Sequence, residues 1–325
     1  MNKLIVHNNA DELSAGWDNL ATSYFQKKEF LIHCEKFNPC SQRYYELYDA
    51  ELISGAILYE LPINIFSFAK KSFKLKTNVV GIPASVSSSG ILGDKQIIDY
   101  IKVNEKGFTL GLNLKTKTNK FSSGTTLPTI IFKNRFINWE DYINSLRATY
   151  RRRINKATTK LHKIKVVSSS CSIFTEKIYG LYLNVYGKSD SKLEKLSMDF
   201  FKNLSEKFLL TTFYLKNKVI GWHITIQEDK KLDFFLCGVD YNYNQKYSIY
   251  HNILINILKK GIENKAELIN FGQTTEEAKC RLGGVVEDRF MFAFHKNKIF
   301  NFLIDRFSSS LEYKYKIPSM QVFKV

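Results

Sequence analysis

The sequence predicts an α+β fold in which a mixed, mainly antiparallel sheet is flanked by helices. Three apolar runs separated by short polar turns have the pattern of antiparallel strands: residues 211–215, 219–226 and 232–239. A long helix follows, with Ile249, Ile253 and Ile257 on one face, and then come a strand at 268–271 and a helix at 274–282. This order of antiparallel strands, helix, strand and helix is typical of the α+β class.

In the first part of the chain, to about residue 135, the sequence predicts several short strands and shows no sharp catalytic motif. Residues 44–48 and 53–62 have the pattern of a hairpin whose turn lies at 49–51. Further strands are expected at 108–114 and 129–132. This part therefore reads as mixed α and β structure.

Residues 139–163 are predicted to form an amphipathic helix with a strongly basic face. The basic face carries Arg147, Arg151, Arg152, Arg153, Lys156 and Lys160. Guanidinium groups at this density favour phosphate contact, although a plain solvated face is the alternative. We predict three parts: an N-terminal unit (residues 1–138), a basic linker helix (139–165) and a C-terminal unit (166–325).

The composition favours an acidic partner and a reduced environment. Lys and Arg number 48 against 31 Asp and Glu, which gives a formal charge of +17. Such a charge suits nucleic acid, an acidic carrier protein, a phosphorylated cofactor or an anionic membrane face, although Lys-rich composition alone is the alternative. The five cysteines form no CxxC pair, and no apolar run approaches the length of a membrane span. We expect a cytoplasmic protein that binds no metal. It can touch a membrane surface but not cross it.

The segment from residue 270 to residue 284 carries the strongest functional signal. An apolar strand ends at Gly272 and passes directly into a polar helix, which carries Lys279 and Arg281 and stops at a double glycine. A strand that leads into a helix N-terminus presents free backbone N–H groups and a positive dipole end. The segment is therefore a candidate binding site for a polar or anionic ligand.

With these elements in order, residues from about 140 to 300 resemble the GNAT-fold acyltransferases, and in particular their branch of Fem-type peptidoglycan aminoacyl transferases. The resemblance rests on the basic helix 146–156, the glycine-containing strand 219–223, the strand-to-helix stretch 234–250, and Asn270-Phe271-Gly272 with Lys279 and Gly283 downstream. Such proteins usually contain two GNAT-like units, the first of them degenerate. The resemblance thus implies a degenerate first unit in residues 1–138 and a catalytic unit in residues 166–325.

The resemblance implies that the protein is an N-acyltransferase. It would move an acyl group from acyl-CoA or acyl-carrier protein to an amine by direct attack. GNAT enzymes usually bind the donor pyrophosphate with a glycine-containing turn, whereas residues 245–250 contain no glycine. Bulky side chains hinder the approach of a pyrophosphate to the backbone, so a Fem-type aminoacyl-tRNA donor is an alternative. The absence of a long helical hairpin for tRNA favours the acyl donors. The third hypothesis is a basic nucleic-acid-binding module without catalysis. This hypothesis leaves the glycine–lysine–glycine segment unexplained.

Four side chains are candidates for catalysis. Lys279 is a cation for an oxyanion or a phosphate, and His223, Asp233 or a water molecule is the base for the proton of the amine. Tyr250 is a proton donor to the leaving group, a role that the resemblance implies. A solvated lysine, a hydrogen-bonded sheet histidine and a surface tyrosine are the structural alternatives. The candidates for donor or substrate binding are Arg147, Arg151, Arg152, Gln245, Tyr247, Asn270, Gly272, Thr274 (equally an N-cap) and Arg281.

Overall fold

A computed structural model describes residues 2–64, 74–189, 193–307 and 312–324. In chain order its strands are β1 (Lys3–His7), β2 (Arg43–Asp49), β3 (Glu51–Asn64), β4 (Lys74–Val80), β5 (Ile91–Gly93), β6 (Phe108–Leu114), β7 (Ser122–Lys133), β8 (Ile164–Ser170), β9 (Phe208–Leu215), β10 (Lys218–Glu228), β11 (Lys231–Val239), β12 (Leu268–Asn270) and β13 (Val285–His295). Its helices are α1 (Trp17–Leu20), α2 (Lys28–Phe37), α3 (Ile97–Asn104), α4 (Trp139–Ser145), α5 (Ala148–Thr159), α6 (Glu176–Lys188), α7 (Met198–Lys202), α8 (Tyr241–Tyr247), α9 (Ile249–Glu263), α10 (Glu276–Cys280) and α11 (Lys298–Phe307).

The chain forms two compact units whose boundaries differ from the predicted ones. Unit 1 comprises Met1–Leu127 and Asp288–Tyr315, and unit 2 comprises Pro128–Glu287 and Lys316–Val325. The basic segment 139–165 belongs to unit 2, because Ile154 and Ala157 on its apolar face are buried in that unit's core. The segment after Glu287 returns to unit 1, where Phe292 and Phe294 are buried in the core.

Unit 1 is built on a sheet with the strand order β1-β2-β3-β4-β6-β13, and β5 adds a further pairing to β3. The predicted hairpin is present, since β2 and β3 pair antiparallel around Ala50. The strands β4 and β6 pair parallel, and α3 lies between them in the chain, as a parallel connection requires. The isoleucines 97, 98 and 101 of α3 are buried in the core of the unit.

Unit 2 is built on a sheet with the strand order β7-β12-β11-β10-β9-β8. The described pairings are antiparallel except for β11 with β12, which is parallel. One face is covered by α9, whose Ile253, Leu254 and Ile257 are fully buried. The other face is covered by α6, where the carbonyl of Ile178 accepts a 2.8 Å hydrogen bond from the indole of Trp222. Each unit thus has a mixed, mainly antiparallel sheet flanked by helices, and the predicted α+β class is confirmed.

The predicted basic helix is interrupted in the structure. Between α4 and α5 the backbone is extended at Leu146 and Arg147. The cause is a contact distant in sequence: Leu146 forms a β-bridge with Phe323, and the Arg147 N–H donates to the carbonyl of Val322 at 3.0 Å.

Another predicted helix is shorter than expected. The helix predicted at 274–282 is limited to α10, which begins only after two left-handed residues. Within the part of the chain that the structure describes, every helix is too short or too polar to span a bilayer.

Candidate active site

The candidate site lies in unit 2, where the parallel strands β11 and β12 separate. Their register ends at the pair Asp233 and Asn270, after which β11 continues to Val239 while β12 stops. The Asn270 amide nitrogen donates to Asp233 Oδ1 at 2.6 Å, and Asn270 Oδ1 accepts from the Gly272 N–H at 2.9 Å. Lys231 forms an ion pair with the other oxygen of Asp233 at 3.0 Å. Both oxygens of Asp233 are therefore engaged in holding the strand end and the turn.

The turn after β12 holds an unusual run of left-handed residues. Gly272, Thr274 and Thr275 have φ values of +68°, +63° and +50°. Glycine adopts this conformation freely, but a β-branched threonine there is an outlier that costs about 1–3 kcal/mol. Thr275, rather than the predicted Thr274, is the N-cap of α10, and it makes no side-chain capping bond. Strain of this kind concentrates at ligand-binding segments.

Lys279 on α10 is a buried amine. The residue is 1% exposed, and its Nζ donates to the carbonyl oxygen of Gln273 at 2.6 Å and lies 6.0 Å from the ring centroid of Phe234. Burial lowers the pKa of Lys279 to about 7, although Cys237 and Glu276 act in the opposite direction. Near neutral pH the amine is therefore present in both protonation states.

Cys237 is a neighbour of this amine, and Tyr250 contacts the same turn as Lys279 does. The Tyr250 hydroxyl lies 2.5 Å from Thr275 Oγ1, and burial, together with nearby Cys237, raises the Tyr250 pKa above its ordinary value. Burial also raises the pKa of the Cys237 thiol to about 12, with Lys279 acting against that shift. Both groups are protonated at neutral pH, so Tyr250 can donate a proton and Cys237 is no thiolate nucleophile. The structure thus joins Lys279 and Tyr250 to the turn that begins at Gly272, through the Gln273 carbonyl oxygen and the Thr275 hydroxyl respectively.

His223 on β10 is enclosed beneath α9. It is 0% exposed, and its Nε2 lies 2.9 Å from Asn256 Oδ1. Burial, assisted by the nearby Lys260, lowers the pKa of His223 to about 3, although the contact with Asn256 acts in the opposite direction. Among the described residues no group bonds to His223 Nδ1. The imidazole is therefore neutral and shielded from any substrate in this conformation.

A basic cleft of about 480 Å³ lies between α5, the start of α9 and α10. This volume falls within the usual range for a small-molecule site. The cations that line it are Arg153, Lys156, Lys160 and Arg281. One carboxylate, Glu277, also lines it and forms an ion pair with Arg281. The cleft therefore carries a net positive charge.

The N-terminus of α9 faces this cleft at Ser248. Ser248 has a left-handed φ of +51°, and Lys160 Nζ donates to its Oγ at 3.0 Å and reaches the Gln245 carbonyl at 3.4 Å. A cation at a helix N-terminus is unfavourable unless an anion lies nearby, because the helix dipole is positive there. The pKa of His251, also in the first turn, is lowered by burial and then by Arg281 and Arg153. The positive field at this helix end matches a phosphate group.

Most of the predicted binding residues lie outside the basic cleft. Of the nine, only Arg281 lines it. Arg147 Nε donates to the carbonyl of Phe323 at 3.2 Å, and Tyr247 is 8% exposed and stacks on Tyr243. Arg151 is half-buried, whereas Arg152 and Gln245 are exposed.

The sequence-based site omitted most of the residues that the structure places at the cleft, among them Lys160, Ser248 and His251. Lys160 was visible as part of the basic face, but nothing in the sequence pairs it with the start of α9. Across the described ranges, no cluster of three or more His, Cys, Asp or Glu side chains is arranged to hold a metal ion.

No protein-family model and no curated protein sequence matches this chain. Among solved structures, FemX is similar, with 11% identity, a TM-score of 0.51, and coverage of 84% of this chain and 92% of FemX. A tandem GNAT protein from the clavulanic acid biosynthesis pathway is similar with 8% identity, a TM-score of 0.51, and coverage of 91% of this chain and 99% of that one. At such identities the likeness shows the fold. The chain has two tandem GNAT-like units, and the predicted resemblance to the GNAT and Fem-type fold is confirmed.

Proposed function

We propose that this protein is an acyltransferase that moves an acyl or aminoacyl group onto an amine where β11 and β12 separate. The observation that carries the proposal is the burial of Lys279, which forms no salt bridge within the described residues. An ammonium without a carboxylate partner is costly to bury, and a strongly shifted pKa in such a place is typical of functional sites. The Tyr250 hydroxyl, which contacts Thr275 of the strained turn, supplies a further polar group.

The proposed reaction is a direct displacement. The amine nitrogen attacks the acyl carbon, the new C–N bond forms, and the bond from that carbon to the donor sulfur or oxygen breaks. The Lys279 ammonium donates a hydrogen bond to the carbonyl oxygen as negative charge develops on it. Tyr250 gives its proton to the departing sulfur or oxygen and recovers one from solvent.

We assign a water molecule as the base that accepts the proton of the attacking amine. His223 lies beneath α9 with its Nε2 against Asn256, and both oxygens of Asp233 are held by Asn270 and Lys231, so we assign neither as the base. Holding the two reactants in one orientation supplies a large part of the rate enhancement in such a reaction, and no covalent enzyme intermediate is needed.

The donor is proposed to place its phosphates in the basic cleft. Acyl-CoA and the phosphopantetheine arm of an acyl-carrier protein both combine a phosphate with an acyl thioester. The cations of the cleft and the N-terminus of α9 provide the charge-assisted contacts that phosphate requires. The left-handed Ser248 gives the turn the backbone shape for which glycine is ordinarily used.

Titration calorimetry with coenzyme A tests this assignment. Lys160→Ala and Arg281→Ala should each weaken binding by roughly tenfold, because each removes a charge-assisted hydrogen-bond donor. Lys163→Ala is the matched control, since Lys163 is exposed on the same short turn as Lys160 but does not line the cleft. Equal affinity in all four proteins would contradict the assignment of the cleft.

Aminoacyl-tRNA is the second candidate donor. The observation in its favour is that positive charge continues beyond the cleft on α5, where Arg152 is exposed. A polyanion longer than coenzyme A would use that extension. Filter binding of bulk tRNA, with coenzyme A as competitor, separates the two: tight tRNA retention without coenzyme A binding selects the tRNA donor. A nucleic-acid-binding module without catalysis would bind RNA and DNA alike and would be indifferent to replacement of Lys279.

A further inference from the structure

Helix α11 of unit 1 turns its apolar side to solvent. Ile299, Phe300, Phe302 and Leu303 are 71%, 54%, 66% and 44% exposed. At about 100° per residue, these four side chains fall within one continuous arc of roughly 160° around the helix. A surface helix normally buries such an arc against its own core, so this helix has the reverse orientation.

The polar side of α11 is the side that docks on unit 1. Asn301 Oδ1 accepts from the His295 N–H at 3.1 Å, and Asn301 donates to Asp305 Oδ2 at 3.1 Å. The hydroxyl of Ser122, on β7, donates to Asp305 Oδ1. The contacts of Asn301 with His295 and of Asp305 with Ser122 fix the rotation of the helix about its axis. The exposed apolar arc is therefore set by the fold and does not come from a loosely attached helix.

Cations lie within and beside this apolar arc: at about 100° per residue, Arg306 falls between Phe302 and Ile299. Lys296, Lys298 and Arg306 are exposed on the helix or the turn before it, and Asp305 is the one acidic residue from position 296 to position 306. Lys102 and Lys120 line the depression next to Asn301 and Asp305. The charge of the whole chain, +17, has the same sign. An apolar arc bordered by cations complements a surface that is apolar inside and anionic outside.

We propose that α11 is an interfacial helix that binds an anionic lipid bilayer. The four apolar side chains insert at the boundary between headgroups and acyl chains, and the lysines and Arg306 contact the lipid phosphates. The charge around the arc favours this occupant over a second copy of the chain, because two copies would bring like charges together. The proposal does not depend on the acyltransferase assignment, since it uses no residue of the candidate site.

Vesicle co-sedimentation of the full chain tests the proposal. Wild type should bind vesicles of phosphatidylcholine with phosphatidylglycerol and bind pure phosphatidylcholine vesicles far less. Ile299→Gln combined with Phe302→Gln should lower the partition coefficient by roughly tenfold or more, because two apolar side chains no longer leave water and no charge changes. Ile137→Gln combined with Val166→Gln is the matched control, since both residues are exposed in unit 2. The control should bind as wild type does.

A fluorescent variant gives a second readout. Phe302→Trp should shift its emission to the blue on addition of the anionic vesicles and should not shift with pure phosphatidylcholine. Circular dichroism checks that each variant keeps the wild-type melting temperature, which is expected because the substituted side chains are exposed. Wild type without vesicle binding, or equal binding by wild type and the helix variant, would overturn the proposal. A wild-type dimer that this variant dissociates, seen by sedimentation velocity without lipid, would assign the face to a second copy instead.

Discussion

The Tyr250 hydroxyl lies 2.5 Å from Thr275 Oγ1, and this contact connects the first turn of α9 to the strained turn before α10. The two residues belong to the elements on either side of the β11–β12 separation. Tyr250 is the proton donor of the proposed reaction, and the contact holds its hydroxyl at the turn that Lys279 also contacts. The contact therefore makes the proton donor the first group to test.

Tyr250→Phe should lower turnover by about two orders of magnitude or more, because the leaving group loses its general acid. The Michaelis constant for the donor should change only a few-fold, and the melting temperature should stay close to that of wild type. Tyr243→Phe, which removes a hydroxyl from another half-buried tyrosine, is the control and should be fully active. Steady-state kinetics on both variants provides the measurement, and a fully active Tyr250→Phe would exclude the assigned role.

Lys279→Met should abolish most activity and leave the fold intact. Loss of one oxyanion donor typically lowers turnover by about 10²–10³-fold. Replacing a buried ammonium by a side chain of similar volume is neutral or stabilising, so the free energy of unfolding should not fall by more than about 1 kcal/mol. Lys259→Met, on the exposed side of α9, serves as the control. Wild-type turnover in Lys279→Met would remove this amine from the site.

The pH–rate profile decides which form of Lys279 acts. The pKa of Lys279 is lowered to about 7, so an ammonium acting as hydrogen-bond donor predicts a rate that falls as the pH rises through about 7. A neutral amine acting as base predicts the opposite slope. Single-turnover rates between pH 5.5 and about 9 separate the two, and a rate that rises through neutrality would reverse the role assigned to Lys279.

The lowered pKa of Lys279 should also make the free energy of unfolding depend on pH. Lys279 has a pKa of about 7 in the folded protein against 10.5 for an ordinary lysine, so between these values the unfolded chain binds more protons. The free energy of unfolding should therefore gain from this group as the pH rises from about 7 to 10.5, by at most about 1.4 kcal/mol per pH unit. Urea denaturation of wild type and Lys279→Met at pH 7 and pH 9 should show a difference that shifts in favour of wild type at the higher pH. A constant difference would show that Lys279 has an ordinary pKa.

Gly272→Ala should destabilise unit 2 through its backbone and not through a clash. An added Cβ would meet only the Phe234 carbonyl oxygen, at 3.8 Å, but φ is +68°. The expected loss is about 1 kcal/mol in the free energy of unfolding. Gly180→Ala is a contrasting control, because it lies within α6 with nothing inside 4 Å of its Cβ, and it should gain about 0.5–1 kcal/mol. Chemical denaturation measures both, and a stabilised Gly272→Ala would contradict the strain.

The fold could be predicted where its signals are local. Alternating and continuous apolar runs located β9, β10 and β11 in unit 2, and the β2–β3 hairpin in unit 1, because each pairs with its neighbour in the chain. The interruption between α4 and α5 could not be predicted, since its cause is a bridge from Leu146 to Phe323. The return of Asp288–Tyr315 to unit 1 likewise depends on packing that no local pattern encodes.

The candidate site shows the same division between local and distant signals. The local order of a strand, a glycine and a polar helix was enough to predict the turn at Gly272 and the helix that carries Lys279. The partners Lys160 and Ser248 are 88 residues apart in the chain, so no spacing relates them. His223 suited a base by its chemistry, but enclosure by α9 is a property of the packed structure alone.

Ser248 also bears on how readily this protein changes by mutation. Its φ of +51° is a conformation that glycine adopts without penalty, so Ser248→Gly would relax the backbone and remove the hydroxyl that Lys160 contacts. One replacement would thus convert this turn into the glycine-containing kind and release a cation. A single substitution would therefore change the backbone at the start of α9. Position 248 is for this reason a starting point for directed evolution of the preference for the proposed donor.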